Sequence, residues 1–150
     1  MELTKWDDRW INLAKEIATW SKDPNKQVGA VIVSPDNRQA TYGYNGLPRG
    51  IDASKLDSIY KTPAEYREAK NSLTVHAEAN AVFNSTTDVG SGRVYVTKMP
   101  CSSCAVLLIQ NQIQSVYCPT PDSDSSWYAD NLKAAMLFQL AGIKLIYHKR

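Results

Sequence analysis

From residue 74 to the C-terminus the chain alternates helix-compatible and strand-compatible segments, and this alternation restricts the possible folds more than any other feature. Thr74 to Asn84 fits a helix and Arg93-Val94-Tyr95-Val96-Thr97 a strand. Ser102 to Asn111 fits a second helix and Ser115-Val116-Tyr117-Cys118 a second strand. A polar loop from Pro119 to Ser126 leads into a helix from Trp127 to Ala141, with Gly142 expected as its C-cap. Ile143 to Tyr147 is the last strand. Such a pattern predicts helices packed on a mixed sheet, the α/β class.

The residues before this alternation supply a further helix and a hairpin. Leu3, Trp6, Trp10, Leu13, Ala14, Ile17 and Ala18 recur at three- and four-residue steps, and Thr4 with Asp7 offers a capping pair. Ser21-Lys22-Asp23-Pro24-Asn25 ends that helix in a turn. Val28 to Val33 and Gln39 to Tyr44 are two strands around the turn Pro35-Asp36-Asn37. The stretch opened by Gly43-Tyr44-Asn45-Gly46-Leu47-Pro48-Arg49-Gly50 is long and polar, with one short helix expected to begin at Thr62-Pro63-Ala64-Glu65. No repeat or linker interrupts residues 1–150, so one domain is expected.

Composition excludes several classes of function. Lys+Arg 17 against Asp+Glu 15 gives a net charge of +2, which does not favour a polyanion or an anionic membrane as partner. No apolar run approaches the roughly 20 residues of a membrane span. The segment Met1 to Asp8 carries acidic residues where a secretory signal is apolar, so a cytoplasmic location is expected. Cys 3 is an odd count with two of the thiols in a Cys-x-x-Cys pair, which argues against a secreted disulfide framework.

That pair gains meaning from its neighbours. Val75-His76-Ala77-Glu78 falls on one predicted helix, and Pro100-Cys101-Ser102-Ser103-Cys104 opens the next. Thiols at i and i+3 of a helix start turn to one side, and the free N–H groups there favour thiolate. His76, Cys101 and Cys104 make three zinc ligands, and three rather than four is the ligand count of a catalytic zinc. Glu78, two residues from His76, is placed as an unligated base for zinc-held water. Alone, Cys-x-x-Cys also fits a redox pair or buried small residues, and His76 a satisfied polar residue. His-x-Glu followed by Pro-Cys-x-x-Cys is instead the signature of zinc deaminases of cytosine and adenine. Cys118, among apolar neighbours in a strand, reads as core, and His148 as solvated.

Beyond this signature the chain resembles the deoxycytidylate (dCMP) deaminase family over nearly its whole length. The resemblance is carried by Ser21-Lys22-Asp23-Pro24-Asn25, Gln27-Val28-Gly29-Ala30, and Gly43-Tyr44-Asn45-Gly46-Leu47-Pro48-Arg49-Gly50. It continues through His76-Ala77-Glu78-Ala79-Asn80-Ala81, Pro100-Cys101-Ser102-Ser103-Cys104-Ala105 and Gly142-Ile143. It implies a cytidine deaminase-like three-layer α/β/α sandwich with a mixed central sheet of about five strands. It also implies zinc-dependent hydrolysis of dCMP to dUMP and ammonia, feeding thymidylate synthesis. Zinc on His76, Cys101 and Cys104 would lower the pKa of its water from about 16 toward about 7. Glu78 would carry the water proton to N3 of the ring and a proton to the departing amino group.

The same resemblance places Ala77 N–H on the carbonyl at position 2 of the base and the Ser102 carbonyl on the exocyclic amine. Asn45 is expected on the deoxyribose hydroxyl and Val28 in the wall of the base pocket. Ser21, Lys22 and Asn25 are expected on the 5′-phosphate, with Tyr117 and the loop Thr120 to Ser126 as second candidates; Lys22 equally fits a solvated charge after a helix. Residues 51–74 hold no Cys or His, so one zinc per chain is expected. Activation by dCTP, as its magnesium complex, and inhibition by dTTP would involve Tyr44, Gly46, Arg49 and Glu65 at a subunit boundary. With Trp 4 and Tyr 8 in a small chain, a homo-oligomer is expected, a hexamer before a dimer or tetramer. Two rivals stand beside this reading: a deaminase acting on tRNA adenosine or another cytosine-containing nucleoside or nucleic acid, and a zinc-stabilised binding module with a fourth protein ligand.

Overall fold

A computed structural model describes residues 2–149. Helix α1 (Lys5–Ala18) starts where Thr4 Oγ1 accepts from Asp7 N at 3.1 Å and Asp7 Oδ2 accepts from Thr4 N at 2.8 Å, a complete capping box. Two antiparallel strands follow, β1 (Gly29–Val33) and β2 (Ala40–Tyr44). After helices α2 (Ala53–Ile59), α3 (Pro63–Leu73) and α4 (Ala77–Asn84) comes β3 (Arg93–Val96). The chain closes with α5 (Ser102–Gln110), β4 (Ser115–Pro119), α6 (Tyr128–Leu140) and β5 (Lys144–His148). The five strands form one mixed sheet in the order β2-β1-β3-β4-β5, with β3, β4 and β5 parallel.

Period-two alternation divides the buried strand residues between two layers. Ala30, Ile32, Val94, Val96, Val116 and Cys118 pack with Ala77 and Ala81 of α4, Ala105 and Leu108 of α5, and Ala134 and Phe138 of α6. Val31, Val33, Tyr95, Tyr117 and Ile146 face the other way, onto Ile11, Ala14 and Ile17 of α1. The result is the expected three layers. On the α1 side the buried Asp7 carboxylate is satisfied by Tyr95 OH at 2.6 Å, and Arg93 Nε donates to the same phenol oxygen at 3.0 Å. Burial opposes ionisation of Asp7, but the hydrogen bonds from Tyr95 and Thr4 outweigh it and hold the carboxyl below its usual range.

Most element boundaries fall within one residue of the sequence expectation, and the larger differences have structural causes. Helix α4 begins at Ala77, because Val75 is taken into an antiparallel bridge with Gly46: Val75 N donates to Gly46 O at 2.7 Å and Gly46 N to Val75 O at 3.1 Å. His76 is therefore the extended N-cap, and Thr74 to His76 are not helical. Helix α2, capped by Asp52 on Lys55 N, has no counterpart in the sequence reading; at seven residues it is too short to show a periodicity. Gly142 follows the C-cap Ala141 and takes the left-handed φ of 75° that ends α6.

Two close approaches set the distance of the helices from the sheet. A Cβ on Gly29 would lie 2.1 Å from Ala14 O of α1, and one on Gly43 2.3 Å from Ala81 N and 2.4 Å from Ala77 O of α4. The second contact holds the N-terminal turn of α4 directly on β2. Gly43→Ala should therefore cost about 1–3 kcal/mol of stability through overpacking, read as a lower Tm in thermal unfolding. An unchanged Tm would mean that α4 is free to back away from the sheet.

Candidate metal and catalytic centre

Two helix N-termini converge at the site. His76 caps α4 and Cys101 caps α5, each with extended backbone, so both side chains stand ahead of a helix rather than on its flank. The Cys101 thiol itself serves as the cap, accepting from Cys104 N at 3.4 Å. The pair thus faces one side because the chain turns into α5 between them. Both sulfurs also lie at the positive end of α5, which favours thiolate.

The donor atoms are close enough to share an ion. His76 Nδ1 lies 3.5 Å from Cys101 Sγ and 3.3 Å from Cys104 Sγ, and all three donors lie within 4.8 Å of one another. A tetrahedral zinc with about 2.3 Å bonds to sulfur and about 2.1 Å to nitrogen requires S···N edges of about 3.5 Å. Donor type and spacing both fit Zn²⁺. Among the described residues no fourth Cys, His, Asp or Glu joins the group, which is the arrangement of a catalytic rather than a purely structural zinc. The hydrogen bond from Cys104 holds the Cys101 thiol well below its usual range, with His76 helping against the opposing effect of burial, while the same bond and burial push Cys104 up, so without metal the pair shares one proton on Cys104. The hydrogen bond with Cys101 in turn raises His76 above its usual range, although burial and the Lys26 ammonium oppose this.

Glu78 lies in the first turn of α4, is only 4% exposed, and has its carboxyl pushed up to about 7, chiefly by burial. A buried carboxyl beside the ligand group, with an affinity for protons near neutrality, is suited to take and return protons at constant pH. Ala77, next to it, is fully buried as the first residue of α4, where an N–H has no acceptor within the helix.

The remaining expected residues fall into three places. Val28 and Asn45 are tied together: Asn45 Oδ1 accepts from Val28 N and its Nδ2 donates to Lys26 O, both at 2.8 Å. Asn45 is buried and its amide braces the Lys26–Val28 backbone. Ser21 is also buried and donates its hydroxyl to Asn45 O at 2.8 Å, so it builds the loop rather than presenting a donor to a phosphate. Lys22 and Asn25 of the same loop are exposed. Asp23 organises the loop by accepting from Asn25 N at 2.9 Å and Lys26 N at 3.1 Å and by pairing with Lys70 of α3 at 3.2 Å.

Tyr117 is a correction. It points to the α1 face, buried and stacked on Tyr95 with centroids 4.5 Å apart, while its neighbours Val116 and Cys118 face the layer of the metal ligands. It therefore cannot reach a phosphate at the zinc site; strand alternation assigns it to the opposite layer. Tyr44, Gly46 and Arg49 line an open groove of about 1130 Å³ between β2 and α4, whereas Glu65 in the first turn of α3 lies outside it. Cys118 is buried against Met99, as expected of a core thiol.

Four residues that sequence reasoning passed over border the site. Lys26 Nζ lies 5.5 Å from the centroid of the Trp127 ring. Asp130 accepts from Ser102 N at 2.8 Å and from Ser102 Oγ at 2.7 Å. Asn131 Nδ2 donates to Pro100 O at 3.2 Å and more weakly to Met99 O at 3.4 Å. Trp127, Asp130 and Asn131 all belong to the start of α6, and no local signal ties that turn to the cysteine loop.

Comparison with known proteins gives a consistent result. The family model for the cytidine and deoxycytidylate deaminase zinc-binding region matches residues 4–120. An uncharacterised deaminase of Aliivibrio fischeri is 36% identical over 147 residues, 97% of this chain and 95% of that protein. Human deoxycytidylate deaminase is 38% identical over 142 residues, 93% of this chain and 77% of that protein. The dCMP deaminase of cyanophage S-TIM5, solved in complex with dCMP and dUMP, superposes with a TM-score of 0.76 over 99% of this chain and 100% of that one. At 18% identity that likeness speaks to the fold. Among the described residues no helix is long and apolar enough to cross a membrane.

Proposed function

Because the chain belongs to the cytidine and deoxycytidylate deaminase family, we propose that it hydrolyses dCMP to dUMP and ammonia and so supplies dUMP for thymidylate synthesis. One observation carries this reading above others: a three-donor zinc group with no fourth protein ligand among the described residues, set beside the buried carboxyl of Glu78. Relatives named deoxycytidylate deaminase at 36–38% identity, and others named probable deoxycytidylate deaminase at 42–43%, support the choice of substrate.

His76, Cys101 and Cys104 would hold the zinc, which when bound would supply an acidified water as nucleophile for C4 of the cytosine ring. Glu78 accepts the proton of that water and delivers it to N3. Glu78 then takes the proton of the new C4 hydroxyl and passes it to the amino group as the C4–N bond breaks and C4=O forms, so one water is consumed and one ammonia released. Its burial excludes bulk water that would otherwise exchange these protons. The Ala77 N–H binds the carbonyl at position 2 and the Ser102 carbonyl accepts from the exocyclic amine. Val28 walls the base, and Asn45 orients the deoxyribose hydroxyl from its place in the 26–28 loop.

The 5′-phosphate is met by the exposed Lys22 and Asn25, joined by Lys26, whose ammonium rests over Trp127 and is free to exchange the ring for an anion. The groove at Tyr44, Gly46 and Arg49 takes dCTP, as its magnesium complex, as activator and dTTP as inhibitor, with Glu65 outside the groove wall. Trp20 at 48% exposure, with Tyr42 at 45% and Phe83 at 68%, supports a homo-oligomer, a hexamer first, closing over this side.

The test is to assay the purified protein on dCMP, deoxycytidine and a cytidine- or adenosine-containing oligonucleotide, with dCTP and dTTP added as effectors and the mass followed by light scattering. The expected outcome is turnover of dCMP with kcat/KM at least about tenfold above deoxycytidine, little on the oligonucleotide, and a mass several times 16.7 kDa. Equal activity on deoxycytidine removes the phosphate site, and turnover of the polymer alone removes dCMP as substrate. A monomer removes the oligomer, and saturation curves unmoved by either effector remove the regulation.

A further inference from the structure

We infer that Asp130 and Asn131, in the first turn of α6, are positioning residues that clamp the cysteine loop on both sides of Cys101. Cys101 is an extended N-cap whose own thiol is the cap for α5, so no separate side chain of that helix restrains its start. Asn131 grips the backbone just before Cys101, through Pro100 O at 3.2 Å with Met99 O at 3.4 Å as a weaker second contact. Asp130 grips it just after, taking the Ser102 N–H at 2.8 Å and the Ser102 hydroxyl at 2.7 Å.

These contacts are more than surface glue between α5 and α6. Asn131 is 7% exposed, and its amide reaches two carbonyls of a loop that belongs to no helix or strand. Ser102 is the residue whose carbonyl faces the exocyclic amine in the reading above, and it follows one zinc ligand and precedes the other by two positions. Holding its N–H fixes the peptide plane between the ligands. A carboxylate on the first N–H of α5 also interacts favourably with that helix dipole, and the bonds from Ser102 keep Asp130 ionised below the usual carboxylate range. Outer partners of this kind commonly change metal affinity or activity by about 10–100-fold when removed.

The experiment uses full-length zinc-loaded protein and its Asp130→Ala and Asp130→Asn variants. Zinc transfer to a chromophoric chelator, thermal unfolding, and kcat and KM on dCMP are measured for each. Asp130→Ala should release zinc about tenfold faster and lose about tenfold or more in kcat, with KM within a few-fold. Asp130→Asn should recover most of both, because its amide oxygen still accepts from Ser102 N and its amide nitrogen donates to Ser102 Oγ. Wild-type zinc release and kcat in Asp130→Ala would overturn the clamp, even with a lowered Tm, since that is the result of a merely structural contact. Should Asp130→Ala fail to fold, Asn131→Ala carries the same readouts, and wild-type values there overturn the proposal equally. The kcat measurement rests on the deaminase reading, but zinc release does not: a wild-type protein inactive on dCMP would refute that reading while the release rates still judge the clamp.

Discussion

Glu78→Gln should keep one zinc per chain, keep its folded stability within a few degrees of Tm, and lose about 10²–10⁴-fold in kcat on dCMP. The magnitude is that of a positioned acid–base group. Gln fills the volume of Glu in a pocket where Glu78 is 4% exposed, so packing of α4 is preserved. What it lacks is an oxygen able to take a proton at one step and return it at the next. The two transfers in the proposed reaction, onto N3 and onto the leaving amine, pass through the same carboxyl, so losing it blocks both. No second carboxylate joins the ligand group among the described residues to substitute for it. Metal analysis beside steady-state kinetics is the measurement. A Gln variant within about tenfold of wild-type kcat would remove Glu78 from proton transfer, and one without zinc would make it a ligand after all.

The legibility of this site in the sequence followed from how local each signal is. His76 and Glu78 are two residues apart and Cys101 and Cys104 three, and each pair sits at one helix start. Their chemistry is therefore written within a few residues and readable without the fold. The layers were readable too, because strands such as Val94-Tyr95-Val96 alternate cleanly between two buried faces. The expectation for Tyr117 fails on that same alternation: proximity to the C-terminal end of a parallel strand points to the site, but its odd position in β4 sends it under α1. The helix start at Ala77 was missed because its cause lies about 30 residues away in sequence, in the bridge from Gly46 to Val75. Asp130 and Asn131 were invisible for the same reason, since their partners in the cysteine loop are distant in the chain and nothing in the sequence of α6 announces them.

Removing a ligand should have the largest effect of all, and it separates the metal from the carboxyl. His76→Ala leaves two thiols that no longer close a site: of the three donors within 4.8 Å, only His76 comes from α4 while both cysteines belong to the start of α5. The variant is expected to lose stoichiometric zinc and all measurable dCMP turnover, whereas Glu78→Gln loses turnover alone. Because the site's free energy of metal binding is also folding free energy, a lower Tm is expected for His76→Ala at equal zinc in the buffer. Treating wild type with a chelator should bring its Tm toward that of the variant. Cys118 supplies the control. It is the third thiol of the chain, fully buried against Met99 in the core beneath α4, α5 and α6, and Cys118→Ala should lower stability through lost packing while zinc content stays at one per chain. His76→Ala with a full complement of zinc would take His76 out of the coordination shell, and loss of zinc from Cys118→Ala would put a third sulfur into it.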